Sequence, residues 1–367
     1  MPLVQGSGPG AWVAMARLLL RAEAVASSRI EGLEVGGRRL LRAELARGYE
    51  NSRPDVTATE VLKNIEAMHW AVETLSDVPE LRVDDILAVH EQLLAGTSLE
   101  RFGGTIRQEQ NWIGGTSFNP CSAAFVPPPP ESVAALMQDL CDFCNQDDLP
   151  AVVQAAIAHA QFETIHPFVD GNGRTGRALI HVILRRRGLA PRLVPPISLV
   201  LATWSADYVE GLTGTRYRGE PGGQAAVDGV DAWISLFAGA CQRAASDADA
   251  YEERIRALQA EWRDRLGRVR KNSATELLLH ALPGAPVITV QSAATLIGRS
   301  VQAVNEAIPR LLDAGVLKQT TIGQRNRAFE AAELIDSFTA LERQLASPEA
   351  DTLVSPPTRR VPRPRTH

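Results

Sequence analysis

The segment that most constrains this chain is the string His166-Pro-Phe-Val-Asp-Gly-Asn-Gly-Arg-Thr-Gly-Arg177. Apolar periodicity predicts that one helix ends near Thr164 and that another begins near Gly173, so the string contains a glycine-rich turn between two helices. The backbone N–H groups of such a turn and of the following helix N-terminus form a site for an anion. The string therefore predicts a helical fold built around an anion-binding loop.

The polar side chains of this string are suited to chemistry on phosphate groups. Arg174 and Arg177 fall on the first turns of the second helix, where planar guanidinium groups can face phosphate oxygens. Asp170 can hold Mg²⁺, which proteins bind through one or two carboxylates together with substrate phosphates, and His166 is a titratable base nearby. A lone Gly-Asn-Gly would indicate an ordinary turn, but this combination predicts phosphoryl or nucleotidyl transfer.

The string also matches every position of the pattern HPFx(D/E)GNGRxxR, and the chain resembles the Fic family from about Leu19 to Val230. The resemblance implies a mainly α fold in which a Fic helical core carries a β-hairpin flap. It also implies a Mg²⁺-dependent protein adenylyltransferase, which transfers AMP from ATP to a hydroxyl side chain of a target protein and releases pyrophosphate. Positioning and charge neutralisation would catalyse the in-line attack on the α-phosphate.

The resemblance assigns a role to each residue of the string. His166 resembles the general base that deprotonates the target hydroxyl, and Asp170 resembles the ligand of the Mg²⁺ that bridges the α- and β-phosphates. The expected nucleotide contacts are Gly171, Asn172, Gly173, Arg174, Thr175, Gly176 and Arg177, the last of them on the γ-phosphate. Tyr208 lies where the family often has a tyrosine pair near the adenine, although the second position here is Val209.

A second segment, Gly103–Pro130, is typical of a short β-hairpin followed by a polyproline stop, because glycine pairs surround Trp112 and Ile113. It resembles the flap of the family. Ile113, Gly114 and Gly115 are expected to align an extended segment of the target by strand addition. A purely structural hairpin is the alternative, and the two roles are compatible.

A third segment, Ser-Ser-Arg-Ile-Glu-Gly at 27–32, follows an amphipathic helix over Ala16–Glu23. By itself it is a helix end with a glycine at C′. In this context it resembles the inhibitory motif (S/T)xxxE(G/N) of self-inhibited Fic proteins, with Ser27 and Glu31 at its key positions. Glu31 is then expected to pair with Arg177 and to deny that guanidinium to the γ-phosphate. The resemblance leaves open whether the enzyme also removes AMP from its target.

The length of 367 residues suits about two or three domains. Five segments are expected: N-terminal helices with the inhibitory motif at 1–80, the Fic catalytic core at 81–230, connecting helices at 231–271, a winged helix-turn-helix domain at 272–345 and a disordered tail at 346–367. The winged helix is predicted from its order of elements, in which three short helices and one strand precede a two-stranded wing. The tail is rich in proline and arginine.

The predicted winged helix favours a macromolecular partner, either DNA or a protein. Gln302 and Asn305 lie early on its recognition helix, where they could read adenine in a major groove, and Arg325 and Arg327 lie at the wing, within reach of phosphate. Pro309 lies inside the same helix, where a cost or a kink is expected. Residues 251–367 hold 17 basic against 13 acidic side chains, a small excess that favours a nucleic-acid or acidic partner, although the module itself is far from strongly basic.

The composition, with 45% hydrophobic and 22% charged residues, is that of a soluble globular protein. The apolar stretch Ala11–Leu20 is short and interrupted by Arg17, and no basic segment precedes it, so we expect a cytoplasmic protein without membrane contact. The expected partners are unidentified target proteins and a second copy of the chain. Two alternatives remain: a Fic transferase that uses another nucleotide donor, and a DNA-binding transcriptional regulator whose Fic core senses a nucleotide.

Overall fold

The computed structural model describes residues 9–46, 55–115, 119–322 and 326–345. The helices within those ranges are α1 Pro9–Ile30, α2 Gly37–Ala46, α3 Val56–Leu75, α4 Val83–Leu94, α5 Pro130–Cys144, α6 Ala151–Ile165, α7 Asn172–Arg186, α8 Ile197–Thr203, α9 Ser205–Gly214, α10 Gln224–Leu266, α11 Ala274–Ala281, α12 Val290–Ile297, α13 Val301–Asp313 and α14 Ala332–Leu345. The strands are β1 Val287–Ile288, β2 Lys318–Ile322 and β3 Asn326–Glu330. The predicted wing residue Arg325 and the predicted tail lie outside the described residues.

Helix α7 is the centre of the molecule. Every residue from Asn172 to Leu184 is buried, and α1, α3, α4 and α6 pack around it. A helix that is buried on all sides has no solvent face on which to place charges. The arginines at its N-terminal end, Arg174 and Arg177, are therefore buried for a reason other than the packing of a core.

Helix α1 is longer than the predicted Ala16–Glu23, because it extends through both serines to Ile30 before Gly32 ends it with a φ of +81°. The alanines and leucines between Ala14 and Ala26 favour helix, and the buried residues of this stretch lie on nearly all sides of it. Asn64 of α3 fixes the end of α1, because its amide donates to the Ala24 carbonyl at 2.7 Å and to Ser28 Oγ at 3.0 Å. The segment that precedes Glu31 is thus part of a rigid helix.

The predicted flap has less regular pairing than a hairpin. Among the described residues of this segment, Ile113 and Phe125 form an isolated antiparallel bridge, with Ile113 N–H donating to the Phe125 carbonyl at 2.9 Å. Gly114 and Gly115 both have positive φ, and a Cβ on Gly115 would lie 2.7 Å from the Ser122 backbone. Tight glycine geometry on one side and proline, which cannot donate to a ladder, on the other are unfavourable for a longer regular ladder.

The C-terminal elements occur in the predicted order, and Gly298 forms the left-handed turn between α12 and α13. The sheet has the order β1-β3-β2 with both pairings antiparallel. Helix α13 continues past Pro309 to Asp313, so the proline does not end it. Helix α14, which follows the sheet, was not predicted.

These C-terminal elements pack against the N-terminal helices. The 3₁₀ turn Leu282–Gly284 lies against α1, where a Cβ on Gly284 would be 2.9 Å from the Ala14 Cα. The segment predicted as connecting helices is part of one helix of 43 residues, α10. Its Trp262 is fully buried and donates its indole N–H to Glu333 of α14 at 2.6 Å. Helices α1 and α10 thus both join the two halves of the chain.

Candidate active site

The loop between α6 and α7 is held by two residues in left-handed conformation. His166 ends α6 with φ 49° and ψ 60°, and Gly171 precedes α7 with φ 78°. A Cβ on Gly171 would lie 3.0 Å from Leu93, so this turn needs glycine for both its conformation and its packing. Gly171 offers no side-chain cap, and the first N–H groups of α7 therefore have no intrahelical partner. They form the anion site that the sequence predicts.

His166 is largely buried and is neutral at pH 7. The pKa of His166 is lowered to about 4: burial is the largest cause, the charge of Glu31 opposes it, and the positive charges of Arg216 and Arg107 add to it. The imidazole is 20% exposed, whereas its Nδ1 is buried without a hydrogen-bond partner. Nε2 is therefore the nitrogen that is left to accept a proton from an incoming group.

Asp170 and Arg174 form a local ion pair one turn apart. Arg174 Nη2 donates to Asp170 Oδ2 at 2.8 Å. The Asp170 side chain is 47% exposed, but that of Arg174 is only 4% exposed. Arg174 Nε and Nη1 and the Thr175 hydroxyl are buried without a hydrogen-bond partner. Buried donors of this kind cost free energy unless a partner completes them, so this set of donors is suited to an anionic ligand.

Asn172 differs from its expected role. Its side-chain oxygen accepts from the Phe168 N–H at 2.8 Å, and its amide donates to the Phe168 carbonyl at 2.9 Å. Both ends of the side chain are therefore used to close the loop on itself. Asn172 shapes the anion site, and the backbone N–H groups around Gly173 supply the donors.

Arg177 is bound by the end of α1 and the residue that follows it. Its Nε donates to Ser27 Oγ at 2.8 Å, and its Nη2 donates to the Ser27 carbonyl at 2.8 Å and to Glu31 Oε1 at 2.7 Å. Burial raises the pKa of Glu31, but the charge and the hydrogen bond of Arg177 outweigh it, so the pKa lies below its usual value. The two predicted inhibitory residues are thus brought to the arginine expected to hold the γ-phosphate.

The Glu31 carboxylate also occupies the anion site itself. It lies so close to the N-terminal turn of α7 that a Cβ on Gly173 would be 1.9 Å from Glu31 Oε1. A carboxylate at a helix N-terminus interacts favourably with the partial positive charge there. A phosphate oxygen at the same N–H groups would have to displace it.

A buried polar cluster lies beneath Arg177. His159 Nε2 is 2.8 Å from the Tyr208 hydroxyl, and both side chains are buried. Burial raises the pKa of Glu163 to about 7 and lowers that of His159 to about 3. Gly176 makes room for these groups, because a Cβ there would be 2.9 Å from Glu163 Oε1. Tyr208 thus lies in a layer behind the arginine, and its adenine contact stays a prediction.

The flap joins this site through Arg216 and Asn111. The Arg216 guanidinium lies 3.9 Å over the Phe125 ring, on the strand that faces Ile113, and donates to the Glu163 carbonyl at 3.3 Å. Asn111 donates to the Phe168 carbonyl at 3.1 Å. The residues predicted for target docking therefore lie beside the loop that carries His166.

Two residues of the site were not identified from the sequence. His90 stacks on Phe168 with ring centroids 3.7 Å apart, and its Nε2 is 2.9 Å from the Asp170 carbonyl. Arg107, buried and charged, donates to the His166 carbonyl at 2.9 Å. The neighbouring sequence does not predict either role, because the partners of His90 and Arg107 are about 60 to 80 residues away in the chain.

The residues present fit a nucleoside triphosphate better than a protein-only metal site. No group of three or more His, Cys, Asp or Glu side chains that could hold a metal occurs in the described part of the chain. Asp170 is half-exposed beside the anion site and offers a carboxylate. A hard cation there would share its ligands between this carboxylate and phosphate oxygens, as Mg²⁺ does with its substrates.

The remaining predicted positions lie far from the loop. Gln302 and Asn305 are exposed on α13, and Gln302 donates to Glu306 at 3.2 Å. Arg327 is exposed on β3. A DNA or protein partner for this face stays a prediction. None of the helices in the described ranges combines the length and hydropathy of a membrane span.

Comparison with known proteins finds similarity over part of the chain. Residues 80–184 match the model of the Fic/DOC family, and residues 13–73 match that of the Fic/DOC family N-terminal region. The "Protein adenylyltransferase Fic" of Drosophila willistoni is 36% identical over 139 residues, which are 37% of this chain and 26% of that protein. The "Protein adenylyltransferase fic-1" of Caenorhabditis elegans is 35% identical over 119 residues, 32% of this chain and 22% of that protein. The matched part thus spans about a quarter of these relatives.

A solved structure covers more of the chain. The crystal structure of a Fic family protein from Desulfovibrio desulfuricans G20 superposes with a TM-score of 0.51 at 22% identity, over 90% of this chain and 98% of that one. This similarity shows a common fold. The mainly α class predicted from the sequence is confirmed, and so is the resemblance on which it was based.

Proposed function

Because this chain contains a Fic/DOC domain, we propose that it is a protein adenylyltransferase that transfers AMP from ATP to a hydroxyl side chain of another protein. The observation that carries the proposal is the set of buried, unpartnered donors of Arg174 beside the N-terminal turn of α7, within one short loop of a neutral histidine. Donors aimed at developing charge and a base near a target hydroxyl are the two requirements of nucleotidyl transfer.

In the proposed reaction His166 Nε2 takes the proton of the target hydroxyl. The hydroxyl oxygen forms a bond to the α-phosphorus, the bond from that phosphorus to the bridging oxygen breaks, and pyrophosphate leaves. The pKa of about 4 keeps His166 unprotonated at neutral pH, which a base requires. Arg174 and the α7 N-terminus would bind the phosphates.

We propose Mg²⁺ as the companion of ATP, with Asp170 as its protein ligand. The bound ion would neutralise charge on the phosphates. Asp170 has to exchange its contact with Arg174 Nη2 for this role, and its half-exposed side chain allows that movement. Arg174 would then turn all of its donors to the nucleotide.

We also propose that Glu31 holds the enzyme in a weakly active state. Arg177 donates three hydrogen bonds to Ser27 and Glu31, and the Glu31 carboxylate fills the space over Gly173. A triphosphate would meet both the negative charge and the occupied volume. Nucleotide can still bind in other orientations, but its α-phosphate would not be presented for in-line attack.

The test is a labelling assay with α-labelled ATP, Mg²⁺ and a cell lysate as the source of target proteins. Strong labelling of lysate proteins is expected with Glu31→Gly, weak labelling with wild type, and none with Glu31→Gly combined with His166→Ala. General-base removal costs about 10²- to 10⁴-fold. The matched controls are Glu34→Gly for the carboxylate and Glu31→Gly with His69→Ala for the histidine, since Glu34 and His69 are exposed.

Other results would redirect the assignment. Label from another nucleotide but not from ATP would indicate a Fic transferase with a different donor. Failure of every nucleotide to label protein, together with salt-dependent binding of the chain to DNA, would favour the transcriptional regulator. Equal labelling by the Glu31→Gly and Glu34→Gly proteins would exclude the inhibitory role of Glu31.

A further inference from the structure

Arg107 is a buried charge outside the glycine-rich loop, and it binds that loop through its backbone. Its side chain is 3% exposed, so it cannot reach a nucleotide in the anion site. Nε donates to the His166 carbonyl at 2.9 Å and Nη2 to the Ile165 carbonyl at 3.4 Å. The Arg107 backbone N–H donates to the Pro167 carbonyl at 2.9 Å. Three consecutive carbonyls around His166 thus accept hydrogen bonds from one residue.

The backbone conformation of His166 is strained, and the hydrogen bonds from Arg107 help to hold it. His166 and Asn272 are the non-glycine residues with positive φ within the described ranges. A side chain in the left-handed region is strained and persists only where its surroundings enforce it. The Arg107 bonds to Ile165, His166 and Pro167 enforce it from one side of the turn.

The other donors of Arg107 extend to both ends of the flap. Nη1 donates to the Glu109 carbonyl at 3.1 Å, before the bridge at Ile113. Nη2 donates to the Pro128 carbonyl at 2.5 Å, after the bridge at Phe125. A planar guanidinium with fixed donor directions can hold several carbonyls in one geometry, which a flexible ammonium group cannot.

We propose that Arg107 is a positioning residue that fixes His166 and the base of the flap in one frame, so that a hydroxyl presented at the flap meets His166 Nε2. The proposal rests on the adenylyltransferase function proposed above for the reaction that it serves. Arg107 touches neither the reacting atoms nor the nucleotide. Its loss should slow the chemical step and leave nucleotide binding intact, because a displacement of about 1 Å at a reacting group can cost about 10²-fold in rate.

The test compares Arg107→Met with Arg186→Met, both in the Glu31→Gly protein. Arg186 is the matched control, because it also donates to carbonyls, those of Val78 at 2.6 Å and Leu75 at 3.3 Å, but near the far end of α7. We expect Arg107→Met to lower kcat for labelling about 10²-fold with the KM for ATP changed less than about threefold. Arg186→Met should change neither, even where it lowers the melting temperature.

A second readout does not depend on transfer. The pKa of His166, followed by NMR in histidine-labelled protein, should rise from about 4 towards its ordinary 6.5 in Arg107→Met, because the positive charge of Arg107, which lowers it, is removed. Arg186→Met should leave it unchanged. If the Glu31→Gly parent labels no protein, the proposed function fails, and the His166 titration still decides on Arg107.

Arg107→Lys covers the case in which the methionine variant does not fold. Lysine keeps the charge but not the planar set of donors, so kcat should stay low while the His166 pKa moves less than in Arg107→Met. A folded Arg107→Met protein with unchanged kcat and an unchanged His166 pKa would overturn the proposal. So would full activity in Arg107→Lys.

Discussion

Two arginines one turn apart on the same helix, Arg174 and Arg177, have opposite surroundings. Arg177 is 1% exposed, and Ser27 and Glu31, about 150 residues away in the chain, bind both its Nε and its Nη2. Arg174 is 4% exposed, takes its one ion pair from Asp170 four residues away, and leaves Nε and Nη1 without partners. We call Arg177 closed, because the protein itself binds its guanidinium, and Arg174 open, because two of its donors have no protein partner and can bind a ligand.

The difference separates the two tasks of this loop. An open buried guanidinium costs stability in the empty protein and is useful only if an anion completes it. A closed one stabilises the protein and withholds a donor from the substrate. Under the proposed function, the protein therefore pairs a phosphate site with an internal competitor, and activation would mean exchanging the partner of Arg177.

The largest expected effect comes from removing the open arginine. In the Glu31→Gly protein, Arg174→Met should lower the rate of AMP transfer about 10²- to 10³-fold, as the loss of one preorganised donor does elsewhere. Its free energy of unfolding should stay the same or rise, because two buried donors without partners are removed and only the half-exposed Asp170 loses a partner. The measurements are labelling rate and free energy of unfolding.

Arg177→Met in wild type is the counterpart of that variant. It should also abolish transfer, but it should lower the free energy of unfolding as well, since Ser27 and Glu31 both lose a bonded partner. If the two arginine variants were equally stable, the distinction between a closed and an open site would be wrong.

The second largest effect is the release of Arg177. Glu31→Gly should raise transfer about 10- to 100-fold, because a hydrogen bond to a charged group contributes about 1.5–3 kcal/mol and each 1.4 kcal/mol is a factor of ten. Glu31→Gln, which removes the charge but keeps the volume over Gly173, should give a smaller increase. Equal rates in the two variants would show that charge alone inhibits and that the occupied space is irrelevant.

The residues of the loop between α6 and α7 could be identified from the sequence. The contacts that hold their side chains and backbone in place could not. The glycines, Asp170 and Arg174 lie within one string, so their proximity follows from helix geometry. Asn172 closes the loop on Phe168 instead of facing the anion, which depends on a side-chain rotamer that spacing does not determine. Arg107 binds its carbonyl partners across about 60 residues, and no periodicity predicts such a contact.

The proposed inhibitory contact between Glu31 and Arg177 was predictable only through the family resemblance. Residues 27–32 have the composition of any helix end, and the pairing of Glu31 with Arg177 spans 146 residues. The length of α1 was underestimated because the serines at its end are neutral in helix propensity, and tertiary contacts from Asn64 decide their conformation. Apart from α14, the C-terminal elements were predictable because local glycine and capping residues mark their ends.

A smaller effect concerns the cluster that lies beneath the closed arginine. Glu163 there faces Arg177, Glu31, Arg216 and His166, and burial raises its pKa to about 7 from 4.5. Between these values the folded protein binds a proton that the unfolded chain releases, so the stability contribution is complete below pH 4.5 and is lost as pH rises towards 7.

The glutamine of Glu163→Gln cannot titrate, so this variant should not lose that contribution to stability as the pH rises. Relative to wild type, its free energy of unfolding should increase by about 1 kcal/mol for a rise of one pH unit within this window. Chemical denaturation at pH 5, 6 and 7 measures the difference, and acid effects common to both proteins cancel. A difference that is constant with pH would mean that Glu163 is already ionised in the folded protein.

The smallest expected effect tests whether the closed site depends on the distant C-terminal half. Gly284 contacts Ala14, and α1 carries that contact over roughly 20 Å to Ser27 as one uninterrupted helix. In Gly284→Ala the new Cβ would lie 2.9 Å from the Ala14 Cα, a backbone atom that can move only with the whole helix. A small shift of α1 would loosen the bonds between Arg177 and its partners Ser27 and Glu31, so basal transfer should rise about two- to fivefold, the equivalent of less than 1 kcal/mol.

Gly298→Ala in the same half, whose added Cβ would have no neighbour within 4 Å, is the control for a general loss of stability. Because Glu31→Gly already frees Arg177, Gly284→Ala should add nothing in that background; an equal rise in both backgrounds would mean that the contact acts on the enzyme without passing through Arg177.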